Sequence, residues 1–105
     1  MKRISVLLAS APTSPSARRA FQLMEDLTEQ GHLVTLCLLE DGVYAATGKL
    51  EGVPLDRCAA VLALTEDMRL RGIDAGSLPA AVRPASYGEV VDRVMTGSDQ
   101  TLGAF

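Results

Sequence analysis

Three short and nearly continuous apolar runs, Ile4–Ala9, Leu33–Leu39 and Cys58–Leu64, constrain the fold more than any other feature of the chain. A strand with one wet face alternates polar and apolar residues. These runs do not, so they read as strands buried on both faces, as in a parallel sheet with helices packed on each side. The segment between the first two supports this. Ser14 is placed to cap a helix, Pro15 suits its first position, and Ala17, Ala20, Phe21, Met24 and Leu27 recur at helical spacing up to the stop at Gly31. Arg18, Arg19, Gln22, Glu25, Asp26 and Glu29 fall on its opposite, wet face.

The remaining segments follow the same alternation. Asp41-Gly42 reads as a turn, Val43–Thr47 as a helical turn and Lys49–Asp56 as surface loop. Thr65 is placed to cap a short helix through Leu70, with Glu66 and Asp67 in the first turn and Gly72 after its end. Ala80–Pro84 reads as a fourth strand. Ser86 caps a last helix with Val90, Val91, Val94 and Met95 turned inward, ended by Gly97, and Gln100–Phe105 forms a fifth strand. The order predicts a three-layer α/β/α, flavodoxin-like fold with a mostly parallel five-stranded sheet, formed by residues 1–105 as one domain.

Composition removes several functions. The 105 residues are 48% hydrophobic and 22% charged with a net charge of −3, and the ten Lys and Arg are scattered, which leaves no footprint for nucleic acid. No apolar stretch is long enough to cross a bilayer. Met1-Lys2-Arg3 followed by Ile4–Ala11 imitates a signal peptide, but Pro12 and Ser14-Pro15 interrupt it and its removal would delete the first strand, so a cytoplasmic location is expected. Two cysteines, Cys37 and Cys58, and one histidine, His32, form no disulfide framework and no metal-ligand set, so neither metal nor cofactor is expected.

Ligands of such sheets bind at the carboxyl ends of the strands, where three loops converge. The first, Ser10–Ser16, offers the hydroxyls of Ser10, Thr13 and Ser14 at a helix start, fit for a small anion, although capping alone explains Ser14. The second carries Asp41 and Tyr44; the third carries Glu66 and Asp67, whose charges a helix start equally accounts for. Cys58, beside Arg57, is the better candidate for a reactive thiol, although it sits at the amino end of its strand. Cys37 lies mid-strand, and buried cysteines are usually inert. His32, just past the helix-ending glycine, reads as a surface residue or a partner of the helix dipole.

Three motifs in order resemble one family. Leu38-Leu39-Glu40-Asp41-Gly42-Val43-Tyr44-Ala45-Ala46 resembles the second-strand motif of the DsrE/DsrF/DsrH proteins, relatives of the TusD/TusC/TusB sulfur-relay subunits. Val61–Ile73 resembles the third strand and following helix of the DsrH/TusB form, where an acidic Leu-x-Glu-Asp replaces the cysteine-bearing loop of the carriers. Ser86-Tyr87-Gly88-Glu89-Val90-Val91-Asp92 resembles that form's Asp-Tyr-x-x-Phe-Val-Asp, whereas the long first helix and Gly31–Thr35 look more like DsrE.

The resemblance implies a domain that assembles into homo-oligomers or hetero-oligomers with sulfur-carrier proteins. Carriers pass a persulfide sulfur for sulfur oxidation or for tRNA 2-thiouridine synthesis. Where a carrier has its cysteine this chain has Leu64-Thr65-Glu66-Asp67, and a carboxylate is no sulfur nucleophile. The expectation is therefore a non-carrier binding or assembly subunit, with Val43, Tyr44 and the Tyr87 region as contacts. The alternatives are a sulfurtransferase using Cys58 and an anion- or nucleotide-binding module at Ser10–Ser16.

Overall fold

A computed structural model describes residues 1–47 and 52–105; part of the expected Lys49–Asp56 loop lies outside the described residues. The strands are β1 (Arg3–Leu8), β2 (Leu33–Leu38), β3 (Ala60–Leu64), β4 (Val82–Ala85) and β5 (Gln100–Ala104). The helices are α1 (Pro15–Glu29), α2 (Thr65–Leu70) and α3 (Tyr87–Thr96), with 3-10 turns at Glu40–Thr47, Leu55–Arg57 and Ala75–Ser77. The sheet order is β4-β3-β2-β1-β5 and every pair is parallel, so the expected mostly parallel sheet is entirely so.

The topology decides where the helices lie. From β1 to β4 the chain steps one way across the sheet, and right-handed crossovers then keep the intervening helices on one face. The step from β4 to β5 runs back past three strands and carries α3 over the other face. The first face holds the larger core: Ile4, Val6, Leu8, Val34, Leu36, Leu38 and Val61 meet Phe21 and Met24 of α1, Val43 and Ala46 of the 3-10 turn, and Met68 of α2. The second face is thinner, with Cys37, Leu62 and Ala85 beneath Val90 of α3.

The helix ends form as local chemistry dictates. The Ser14 hydroxyl accepts the Ala17 N–H at 3.1 Å, and Ser86 and Glu89 make a reciprocal capping box at the start of α3. Gly31 (φ 88°) and Gly72 (φ 70°) end α1 and α2 in the left-handed conformation. There the N–H groups of His32 and Ile73 return to the carbonyls of Leu27 and Met68, satisfying the last turn.

Several expectations are corrected. Thr65 does not cap α2: it is the first helical residue, no side chain caps that end, and its hydroxyl donates to the Ala85 carbonyl at 3.1 Å, tying β3 to β4. β3 starts at Ala60, so Cys58 lies before the strand, at the end of a 3-10 turn. β4 is shifted to Val82–Ala85 and tolerates Pro84 because it is an edge strand. Of the four α3 residues expected to face inward, only Val90 is buried. Met95 is 74% exposed and Val91 is exposed, since a lone helix on a sheet covers only one narrow stripe. Val43 is fully buried against the sheet and cannot serve as a contact, whereas Tyr44 and Tyr87 are exposed. His32 lies partly exposed at the surface, where its Nδ1 accepts the Lys2 N–H at 3.1 Å and joins the approaches to β1 and β2.

Candidate functional site at the carboxyl edge of the sheet

At the end of β2 the chain turns within a very tight space. Leu39 donates its N–H to the Leu8 carbonyl at 2.9 Å, and Gly42 donates to the Leu39 carbonyl at 2.8 Å. A Cβ on Gly42 would stand 2.1 Å from the Leu8 oxygen, so no residue with a side chain fits without displacing backbone. Between them Glu40 adopts φ 48°, the one non-glycine residue with positive φ among those described. Its N–H, thrown toward α2 by this conformation, donates to Asp67 Oδ2 at 2.7 Å.

Arg71, at the C-terminal end of α2, completes the arrangement. Its Nε donates to Asp41 Oδ1 at 3.0 Å, and its Nη1 donates to the Asp67 carbonyl at 3.2 Å while lying 3.7 Å from Asp67 Oδ1. The hydrogen bond to Asp41, helped by the charges of Asp41 and Asp67, holds the guanidinium firmly protonated, and the Tyr44 phenol lies within its electrostatic reach. Of the sequence-predicted residues, Asp41, Tyr44, Glu66 and Asp67 are thus brought to one edge, around an arginine that sequence reasoning did not single out. A basic residue near the end of a short helix signals nothing by itself, because the acids it meets are set by how α2 docks on the 3-10 turn.

The two acids of α2 have different fates. Asp67 is mostly buried and consumed by Glu40 and Arg71, whereas Glu66 is exposed. Around Glu66 the edge presents Tyr44, 42% exposed, and Leu70, 80% exposed. That surface is mixed apolar and acidic, and among the described residues no thiol is exposed on it.

The Ser10–Ser16 loop is organised by internal bonds. Ser14 caps α1 and donates to Ser10 Oγ at 3.2 Å, while Thr13 is exposed on the rim of an open cleft beside Arg18, Phe21, Gln22 and Glu25. Its hydroxyls do not converge with the Asp41–Asp67 group. Among the described residues no three His, Cys, Asp or Glu side chains are grouped to hold a metal ion. No helix among them is long and apolar enough to cross a membrane.

Neither thiol is exposed at this edge. Cys37, the penultimate residue of β2, is fully buried on the α3 face of the sheet, and burial pushes its thiol up to about 11, against a weaker pull down from Arg93. Cys58 lies at the opposite, amino edge of the sheet, donates to the Pro54 carbonyl at 3.4 Å, and is pushed up to about 12 by burial. Arg57, its expected activator, instead pairs with Glu29 at 3.4 Å.

A fold of this kind recurs in proteins of bacteria and archaea. The crystal structure of the ychN protein from E. coli superposes with a TM-score of 0.68 at 19% identity, covering 98% of this chain and 99% of that one. A protein of unknown function from Methanobacterium thermoautotrophicum gives 0.69 at 17% identity, over 95% and 97%. No curated protein matches. The family model described as DsrH like protein matches residues 13–100, a span that takes in the Glu-Asp-Gly turn, the acidic α2 and the capping box of α3; this chain belongs to the DsrH-like family.

Proposed function

We propose that this chain is a non-carrier subunit of an intracellular sulfur-relay assembly, and that it binds a sulfur-carrying partner through the edge formed by the Glu40–Thr47 turn and α2. Membership of the DsrH-like family supports a role in sulfur relay. The observation that carries the reading is the state of Asp67. At the place where resemblance puts a carrier's cysteine, this chain has a carboxylate locked by the Glu40 N–H and Arg71. A group so occupied shapes a surface and transfers nothing. The exposed Tyr44, Glu66 and Leu70 around it supply the contact. Burial of both thiols, which keeps them protonated at neutral pH, weighs against the alternative of Cys58 as a displaced sulfurtransferase.

The test is a pull-down from the native cell with the tagged chain, followed by the same experiment with Leu70→Asp and Glu66→Lys. Recovery of a sulfur-transfer protein by the parent chain, and its loss with the variants, is the expected result. Recovery of none would overturn the reading. So would sulfur added to Cys58 or Cys37 after incubation with a cysteine desulfurase, as seen by mass spectrometry.

A further inference from the structure

The two faces of the sheet differ in what lies under their helices. Beneath α1, the 3-10 turn and α2, the residues of β1, β2 and β3 are apolar throughout. The α3 face is not. Among the described residues the buried polar side chains are Ser5 and Thr35, in register on neighbouring strands. Thr35 lies two residues before Cys37, so both hydroxyls belong to the face that α3 covers. The helix is fastened over this floor largely by polar contacts, since Val90 is its one buried residue. Arg93 Nη1 donates to Thr35 Oγ1 at 3.4 Å. Ser98 Oγ is hydrogen-bonded to Ser5 Oγ and donates to the Arg93 carbonyl at 2.7 Å. The exposed pair of Arg83 and Glu89, 2.7 Å apart, adds little. Tyr87, Val91 and Met95, one turn apart, are exposed, so no described element braces that flank of α3.

The chain is clamped just outside both ends of this helix. Before it, β4 is paired with β3 and the Ala85 carbonyl accepts the Thr65 hydroxyl at 3.1 Å. After it, the Asp99 N–H donates to the Arg3 carbonyl at 2.7 Å, and the Asp99 carboxylate accepts the Arg3 N–H at 2.8 Å. Residues 86–98 are therefore free to leave the sheet as one loop without breaking a strand pair. The bonds they give up are replaceable, because the hydroxyls of Ser5, Thr35 and Ser98 and the Arg93 guanidinium all bond to water once exposed. What must be wetted against the hydrophobic effect is mainly Val90, Cys37, Leu62 and Ala85. A ten-residue helix is too short to persist alone in water, so it unwinds as it leaves.

We propose that α3 is a hinged cover that opens as a unit while the rest of the chain stays folded, and that this opening controls access to Cys37. Closed, the thiol is fully buried in the cluster with Val90. Open, it stands on a bare sheet face beside Leu62, its partner in register on β3. The position of one helix thus decides whether the chain hides or presents a thiol. Cys58 does not share the device, because it lies before β3 and packs against the opposite core. The cover stands or falls independently of the sulfur-relay reading, since its test uses an alkylating probe and neither a partner nor a sulfur donor.

Slow labelling of the folded chain by N-ethylmaleimide at pH 7.5, read at Cys37 by peptide mass spectrometry, tests the cover. In urea well below the unfolding midpoint the Cys37 rate should rise with less than about half the slope of global unfolding, because only residues 86–98 and the floor beneath them are exposed. Val90→Ala should speed the labelling at least about tenfold. Ser98→Ala strands the buried Ser5 hydroxyl in the closed state and should speed it roughly fivefold or more. Ala20→Gly, in the middle of α1, separates local from global opening. It should lower the urea midpoint yet leave the Cys37 rate in the absence of urea within about twofold, whereas access through global unfolding would raise that rate roughly fivefold. A Cys37 rate that carries the full global slope from the lowest urea, that tracks stability in Ala20→Gly, or that ignores Val90→Ala would overturn the proposal.

Discussion

Asp67 Oδ2 lies 2.7 Å from the backbone nitrogen of Glu40, two residues 27 apart in the chain and joined across the ends of neighbouring parallel strands. The bond gives the Glu40 N–H, turned by the left-handed conformation, a charged acceptor on α2. It also fixes α2 against the 3-10 turn, so the geometry of the whole edge depends on it.

Asp67→Ala should destabilise the fold by about 1 kcal/mol, the usual net worth of a hydrogen bond, because the exposed Glu40 N–H turns to water once its partner is gone. Glu66→Gln, one residue away and exposed, should stay within about 0.5 kcal/mol of the parent chain. Urea denaturation of the two variants side by side checks both, and an equal effect would mean that the two acids are not divided as described.

Gly42→Ala should cost more than any surface change, about 3 kcal/mol or enough to prevent folding, because its methyl group would collide with the Leu8 carbonyl and not with a movable side chain. Glu40→Gly should go the other way and stabilise by up to about 1 kcal/mol, since glycine adopts positive φ freely. Denaturation midpoints measure the two shifts, and their opposite signs are the point of the comparison.

The sequence made the strands and helix ends legible because both are local. Apolar runs, Ser14, Ser86, Gly31 and Gly72 act on their own neighbourhoods, and each is found in the expected role. Arg71 was not legible, since its partners Asp41 and Asp67 come together only when α2 docks. Thr65 misled because a hydroxyl before an acidic turn fits a cap equally well as a cross-strand bond to Ala85. Met95 misled for another reason: periodicity shows which stripe of a helix is apolar, and says nothing of whether the sheet beneath is wide enough to cover it.

Cys37 and Cys58 should resist alkylation by iodoacetamide at pH 7.5, with labelling that rises only at strongly alkaline pH or on unfolding; mass spectrometry reads the extent. Linkage gives the companion effect. An unfolded chain loses these protons from the ordinary value of 9.0, whereas the folded chain keeps them to about 11 and about 12. Stability is therefore undiminished below pH 9 and falls as pH rises through the interval to the folded values. A Cys58→Ser variant with an unchanged alkaline decline would contradict the assignment of that share to Cys58.

Ser86→Ala should destabilise α3 by about 1 kcal/mol, because it removes the hydroxyl that accepts the Glu89 N–H, in a helix that covers its face of the sheet alone, while the backbone N–H to the Glu89 carboxylate stays in place. Loss of near-native packing around Cys37 and Leu62 should accompany it, and faster labelling of Cys37 in this variant is the measurement that reports it.

The bond from Ala9 to Ala104 has a consequence for how the chain is made. β1 emerges first from the ribosome and receives β2 soon after, but its other side waits until residues 100–104 have been synthesised. Through most of translation the nascent polypeptide therefore carries an unsatisfied parallel edge on an apolar strand, the kind of surface that holdase chaperones exist to shield. Stalled or truncated products lacking β5 would be sticky in a way the finished protein is not, and their fate in the cell would be set by quality control and not by function.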